Sequence, residues 1–172
     1  MNSPFEKINE LPENLDTDRM DLKLVSAEWI DEIFAEIRGN VARHFINFED
    51  RNELQTWINE NRRLFARGEK IEMVMLRKES GEFLGMVSIR NLNINPEIGV
   101  WVKINAQGQG LAREALETLI SWYKIRTGIA EKIKYVVEKG NDASIGLAKK
   151  MGMQYIGDVA DSDQLVYEEY LI

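Results

Sequence analysis

Gly108 and Gly110 stand one residue apart, immediately before an amphipathic run that begins at Leu111. Two glycines at the entrance to a helix fit a turn whose backbone must be approached closely, because a side chain there would hold a ligand away. Three kinds of turn account for such a pair. A dinucleotide fingerprint, G-x-G-x-x-G, accepts Gly108 and Gly110 but meets Arg113 where its third, small residue belongs, and it should come earlier in a chain. A phosphate loop of the form G-x-x-x-x-G-K-[ST] is absent from the sequence. A plain tight turn remains open, since glycine is a common turn residue.

The rest of the composition narrows the chemistry. The 172 residues include no cysteine and one histidine, His44. Disulfides, thiolate metal sites, a cysteine nucleophile and paired-histidine metal motifs are therefore excluded, and no metal site is expected. The formal net charge of −7 argues against a nucleic-acid partner, which would want a basic face. It favours cationic partners weakly, through long-range steering. No apolar run has the length of a membrane span and no signal peptide opens the chain, so a cytoplasmic protein without a membrane partner is expected.

The elements that must position a site follow from periodicity. Residues 20–25 alternate as a half-buried strand. A helix over 27–37 places Trp29, Ile30, Ile33, Phe34 and Ile37 at helical spacing, with Ser26 as its cap. A second helix over 49–68 carries Leu54, Trp57, Ile58 and Leu64 on one stripe and ends at Gly68. Residues 71–78 and 82–92 form a hairpin across 79–81, and 97–104 form a third strand after Pro96. The strongest helix, 110–126, aligns Leu111, Ala115, Leu119 and Trp122. A strand over 132–138, a helix over 141–151 capped by Asn141 or Asp142 and stopped at Gly152, and strands over 153–159 and 164–172 complete the pattern. It is a mixed α/β (α+β) arrangement of helices about a central sheet in one domain, 1–172, with 1–14 a loosely held leader. The acidic run 167–170 reads as a solvated strand face.

Gln107-x-x-Gly110-x-Ala112 resembles the Q/R-x-x-G-x-G/A turn of the GNAT acyltransferases. Three further stretches resemble one branch, the ribosomal-protein N-terminal acetyltransferases of the RimJ/RimL type. These are 15–25 (LDTDRMDLKLV), 97–102 (EIGVWV) and 141–153 (NDASIGLAKKMGM). The similarity runs from about Leu15 to the C-terminus. Lys23, Val100 and Met153 depart from the branch's arginine, tyrosine and phenylalanine, and Val100 removes a hydroxyl from a site wall.

The resemblance implies the GNAT acyl-CoA N-acyltransferase fold, with a mostly antiparallel sheet flanked by helices. It implies transfer of acetyl from acetyl-CoA to an amine. Without cysteine, that transfer is direct attack in a ternary complex. The turn Gln107, Gly108, Gln109, Gly110, Leu111 and Ala112 would hold the cofactor pyrophosphate on backbone N–H groups at a helix N-terminus. Gln107 would also hydrogen-bond near the phosphates. Trp101 and Val102 would offer backbone groups to the pantetheine arm like a sheet edge, with the Trp101 side chain itself in the core. Asn141 would bind the pantetheine amide, cap a helix, or both. Ser144 would protonate the leaving thiolate, since Ala148 stands where other members of the family have a tyrosine.

Glu97, Asp161 and Asp163 are the candidates for the base, with Glu97 preferred. His44 falls in a region that walls the acceptor site in relatives. An α-amino acceptor, with pKa about 7.7–8.0, is roughly a fifth to a third neutral at pH 7.4, and needs little more than water as its base. A polyamine amine near 10.4 is neutral about one time in a thousand and needs a placed carboxylate. The expected acceptor is a protein N-terminus or small amine. A polyamine or aminoglycoside-like acceptor, a silent acyl-CoA-binding module and, further off, a nucleotide-binding oxidoreductase stay open as alternatives, as do a monomer and a homodimer.

Overall fold

The computed structural model describes residues 11–38, 48–127 and 132–170. His44 and the first ten residues of the leader lie outside them. The elements run β1 (Asn14–Asp16), β2 (Met20–Leu24), α1 (Ile30–Ile37), α2 (Arg51–Ala66), β3 (Lys70–Arg77), β4 (Phe83–Arg90), β5 (Glu97–Val102), α3 (Leu111–Thr127), β6 (Lys132–Glu138), α4 (Asp142–Lys150), β7 (Gln154–Asp158) and β8 (Gln164–Tyr170). The strands form one sheet in the order β1-β2-β3-β4-β5-β6-β8-β7. Every neighbouring pair is antiparallel except β5 and β6, which are parallel. The expected mixed sheet with helices about it is the fold observed.

Strand alternation sorts the core onto two faces. One face carries Met20, Leu22, Met73, Leu84, Val87, Ile98, Ile133 and Tyr135 against Leu111, Ala115, Leu119 and Tyr123 of α3, with Ala148 of α4 in the same cluster. The other carries Val74, Leu76, Phe83, Met86 and Trp101 against Ile33, Phe34, Leu54 and Ile58 of α1 and α2. The aromatic rings of Trp29, Phe83 and Trp101 follow one another on that second face.

Four details differ from the sequence reading. The short edge strand β1 was not expected, and the Leu24 N–H donates to the Glu13 carbonyl, so the end of the leader is held. Ser26 does not cap its helix. Its hydroxyl donates to Glu28, and residues 27–29 form a 3-10 turn before α1. The run 167–170 is not a solvated face, because Tyr167 and Glu168 are buried and Glu168 is ion-paired. Asp50 is the unanticipated cap of α2, accepting from the N–H groups of Asn52 and Glu53.

Candidate active site

The parallel pairing of β5 with β6 runs for two registers, Glu97↔Lys134 and Ile98↔Tyr135. Beyond them each strand continues to a separate helix. β5 leads through a 3-10 turn and the Gly108–Gly110 loop to α3, and β6 leads through Asn141 to α4. Adjacent parallel strands feeding two helix N-termini leave a cleft at their C-terminal ends, the place where open α/β sheets bind ligands.

The α3 side of the cleft is built for an anion. Gly108 and Gly110 have φ of 74° and 78°, the left-handed region that disfavours a side chain. The Glu114 N–H donates to the Gly110 carbonyl, so the helical ladder begins there and the N–H groups of residues 111–113 have no partner within the helix. A Cβ at Gly108 would meet nothing within 4 Å, and one at Gly110 only an Arg19 nitrogen at 3.7 Å. The protein itself therefore leaves the glycines' open side empty, and the cradle fits a diphosphate.

Gln107 ties the loop to β5. Its side-chain amide donates to the Val102 carbonyl at 2.9 Å and braces the end of β5. The loop is held from below by residues the sequence reading did not single out. Glu114 accepts from the Thr17 hydroxyl (2.6 Å), the Arg19 N–H (2.8 Å) and the Arg19 Nε (2.7 Å), while Arg19 Nη1 donates to the Gln109 carbonyl at 2.9 Å. Partial burial pushes the Glu114 carboxyl up, but the donors from Thr17 and Arg19 outweigh it and hold the group below its usual range. The signal for this clamp was the T-x-R within residues 15–25.

The β5 wall follows from register. Gly85 pairs with Val102, and the Lys103 N–H donates to the Leu84 carbonyl. In that antiparallel pattern the backbone groups of Trp101 face β4, and those of Val100 and Val102 face the cleft. The Val102 backbone therefore turns to the cleft, whereas the Trp101 backbone serves the sheet and its side chain is 9% exposed in the core. The close approach of β4 demands Gly85, at φ 146°, because a Cβ there would lie 2.1 Å from the Trp101 carbonyl oxygen.

On the α4 side, Asn141 Oδ1 accepts from the Ser144 N–H at 3.1 Å and caps the helix. The Ser144 side chain is hydrogen-bonded to the phenol of Tyr135, a buried β6 residue at the last register before the cleft opens. Burial pushes that phenol up, and the Ser144 bond offsets this only in part, so it stays protonated at neutral pH. Tyr135 was missed, although a tyrosine in the core phase of a strand needs a polar partner.

The carboxylate candidates lie apart. Glu97 sits at the closed end of the cleft, ion-paired with Arg90 and opposite Lys134. Asp161 and Asp163 are exposed in the turn between β7 and β8, and the Asp163 carbonyl receives the Lys139 N–H. Among the described residues no group of three or more potential ligands is placed to hold a metal ion, and no helix is long and apolar enough to cross a membrane.

A family model described as an acetyltransferase (GNAT) domain matches residues 19–154. YkkB of Bacillus subtilis (strain 168) is 29% identical over 121 residues, which is 67% of this chain and 69% of that protein. Among solved structures, RimL, the ribosomal L7/L12 α-N-protein acetyltransferase in complex with coenzyme A, superposes with a TM-score of 0.79 at 18% identity. The match covers 92% of this chain and 98% of the other. The microcin C7 self-immunity acetyltransferase MccE, in complex with acetyl-CoA and AMP, superposes at 0.76 and 19% identity, over 95% and 99%.

Proposed function

This chain belongs to the GNAT acetyltransferase family, and from that premise we propose that it moves the acetyl group of acetyl-CoA onto the amine of a protein N-terminus or a small molecule, by direct attack in a ternary complex. The observation that carries the reading is the cleft opening beyond Ile98↔Tyr135 between two helix N-termini, one of them on a glycine loop whose following N–H groups have no partner within the helix. Solved neighbours that hold coenzyme A or acetyl-CoA on this fold support the choice of cofactor.

When bound, acetyl-CoA supplies an activated thioester. The chain's own groups have four tasks. The backbone of Gly108, Gln109, Gly110, Leu111 and Ala112 receives the diphosphate at the α3 N-terminus, where N–H donors and the helix dipole favour negative charge. Arg19 and Glu114 keep that loop in place, and Gln107 ties it to β5. The Val100 and Val102 backbone lines the pantetheine arm as a strand would, with the Asn141 side chain opposite. The Ser144 hydroxyl donates a proton to the departing thiolate and regains one from water, while the buried Tyr135 phenol, kept protonated, holds that hydroxyl in place.

The amine proton goes to water rather than to a dedicated carboxylate. Glu97 is already engaged by Arg90, so its role is to shape the closed end of the cleft. That arrangement suits an acceptor with an ordinary α-amino group, a good part of which is neutral near pH 7.4. The reading is tested by thiol release from acetyl-CoA against free N-terminal peptides and polyamines. N-terminal peptides should release thiol and their Nα-blocked forms should not. Equal release from blocked and free peptides would sink the assignment of the acceptor amine.

A further inference from the structure

On the sheet face opposite α3, one row of side chains crosses four strands at the closed end of the cleft. Register places Arg90 beside Glu97, Glu97 beside Lys134, and Lys134 beside Glu168, with Lys132 two residues before Lys134 on β6. Alternation assigns the face, because Ile89, Ile98, Ile133, Tyr135 and Tyr167, their strand neighbours, point into the α3 cluster. Arg90 pairs with Glu97, and Glu168 receives Lys132 at 3.3 Å and Lys134 at 3.8 Å.

The two signs are not equally presented. The Arg90, Lys132 and Lys134 side chains are 52%, 43% and 30% exposed, whereas those of Glu97 and Glu168 are 16% and 8% exposed. Three cationic heads therefore stand over two carboxylates that are largely covered. In a chain of net charge −7, this is a local inversion of sign. α1 and α2 cover the neighbouring part of the same face through Val74, Leu76, Phe83, Met86 and Trp101, and the row lies outside that cluster.

α3 packs on one face of the sheet with Ala148 of α4 in its cluster, so the opposite face, which the row shares with α1 and α2, is the side from which we take an amine to approach the cleft. The Glu97↔Lys134 pair is one register short of the last pairing, so Arg90 and Lys134 are level with a point about 7 Å of strand from where the cleft has opened at Gly99, and Lys132 is about 7 Å further back. An extended peptide spans about 3.3–3.6 Å per residue. A peptide with its α-amino group in the cleft would bring the side chain of its second or third residue to the row.

We infer that the acceptor is a peptide N-terminus carrying carboxylates at its second and third residues, and that Arg90, Lys132 and Lys134 select it by charge. A polyamine meets like charge on this route and is disfavoured. The inference rests on the acetyltransferase reading above and goes beyond it by naming the acceptor's class.

The test is binding of two C-terminally amidated peptides, Ser-Glu-Glu and Ser-Lys-Lys, to the full chain saturated with coenzyme A, by calorimetry in low salt. The acidic peptide should bind roughly tenfold tighter, the size of one to two partly exposed ion pairs, and the ratio should shrink as salt screens them. K132E/K134E should invert or abolish the preference while leaving the coenzyme A affinity unchanged. K132Q/K134Q/E168Q removes both signs together, leaves no buried charge unpaired, and should reduce the preference to what Arg90 alone sustains. Equal binding to the wild type, tighter binding of the lysine peptide, no binding of either, or a preference undiminished in both variants would overturn the inference. Failure of coenzyme A itself to bind would instead overturn the acetyltransferase reading.

Discussion

Replacing Gly110 by alanine separates what the glycine does for the fold from what it does for the ligand. At φ 78°, a Cβ costs roughly 1–2 kcal/mol of backbone strain. It adds no clash, since the nearest protein atom would be an Arg19 nitrogen at 3.7 Å, ordinary contact. In the proposed complex, the added methyl would stand where a phosphate oxygen meets the helix N-terminus. Losing one charge-assisted hydrogen bond is worth about 1.5–3 kcal/mol, or roughly 10- to 150-fold in Kd.

Gly81 supplies the control. It has φ 71° and nothing within 4 Å of a built Cβ, but it lies in the β3–β4 turn rather than at the α3 N-terminus. Thermal unfolding and acetyl-CoA calorimetry on Gly81→Ala and Gly110→Ala should give similar losses of stability and a loss of affinity in Gly110→Ala alone. Unchanged affinity in Gly110→Ala, or an equal loss in both, would refute the placement of the diphosphate at this turn.

Other perturbations probe the remaining parts of the account. Ser144→Ala should lower kcat by about 10²-fold, within the range for a positioned proton donor, with acetyl-CoA affinity nearly unchanged; a kcat equal to wild type would leave Ser144 with a structural role only. Gly85→Ala should cost about 3 kcal/mol or more, because its Cβ would lie 2.1 Å from the Trp101 carbonyl oxygen, and denaturant unfolding would expose a tolerated substitution as evidence against the observed β4–β5 approach. The folded Glu114 carboxyl is held below its unfolded value, so it binds its proton less readily in the native state. The stability it contributes is present above the unfolded pKa and is lost as pH falls through the folded one. Glu114→Gln should therefore flatten the decline in unfolding free energy on the acid side of about pH 4.3, and a decline as steep as wild type would count against the Thr17–Arg19–Glu114 clamp.

What the sequence made legible was governed by range. The glycine turn, the helix behind it and the Asn141 cap depend on residues within one turn of each other, and the observed loop and cap follow that local chemistry, whereas Ser26, an equally local candidate, spends its hydroxyl on Glu28. Asp50 is also a local cap, but the helix reads in sequence as starting at residue 49, which puts Asp50 inside it rather than at its end. The Arg19–Glu114 clamp joins positions 95 residues apart and depends on β1 and β2 lying beneath α3, a relation that no periodicity encodes. Glu168 looked like a solvent residue because its neighbours are acidic and aromatic. Its burial comes from β8 pairing with β6 and bringing Lys132 and Lys134 across the strand. Trp101 and Val102 are adjacent in sequence, and only the register against Gly85 decides which of the two turns its backbone to the cleft. The position of Glu97 at the end of a strand was readable, whereas its engagement by Arg90 required the hairpin register.

The most direct test of the central claim is calorimetry of the full chain with acetyl-CoA, with NAD as the competing ligand class and free thiol measured in the same sample after an N-terminal peptide is added. The account predicts saturable binding of acetyl-CoA with one site per chain, no binding of NAD, and thiol release that depends on the peptide. Absence of acetyl-CoA binding would contradict it and leave Gly108 and Gly110 as parts of a tight turn.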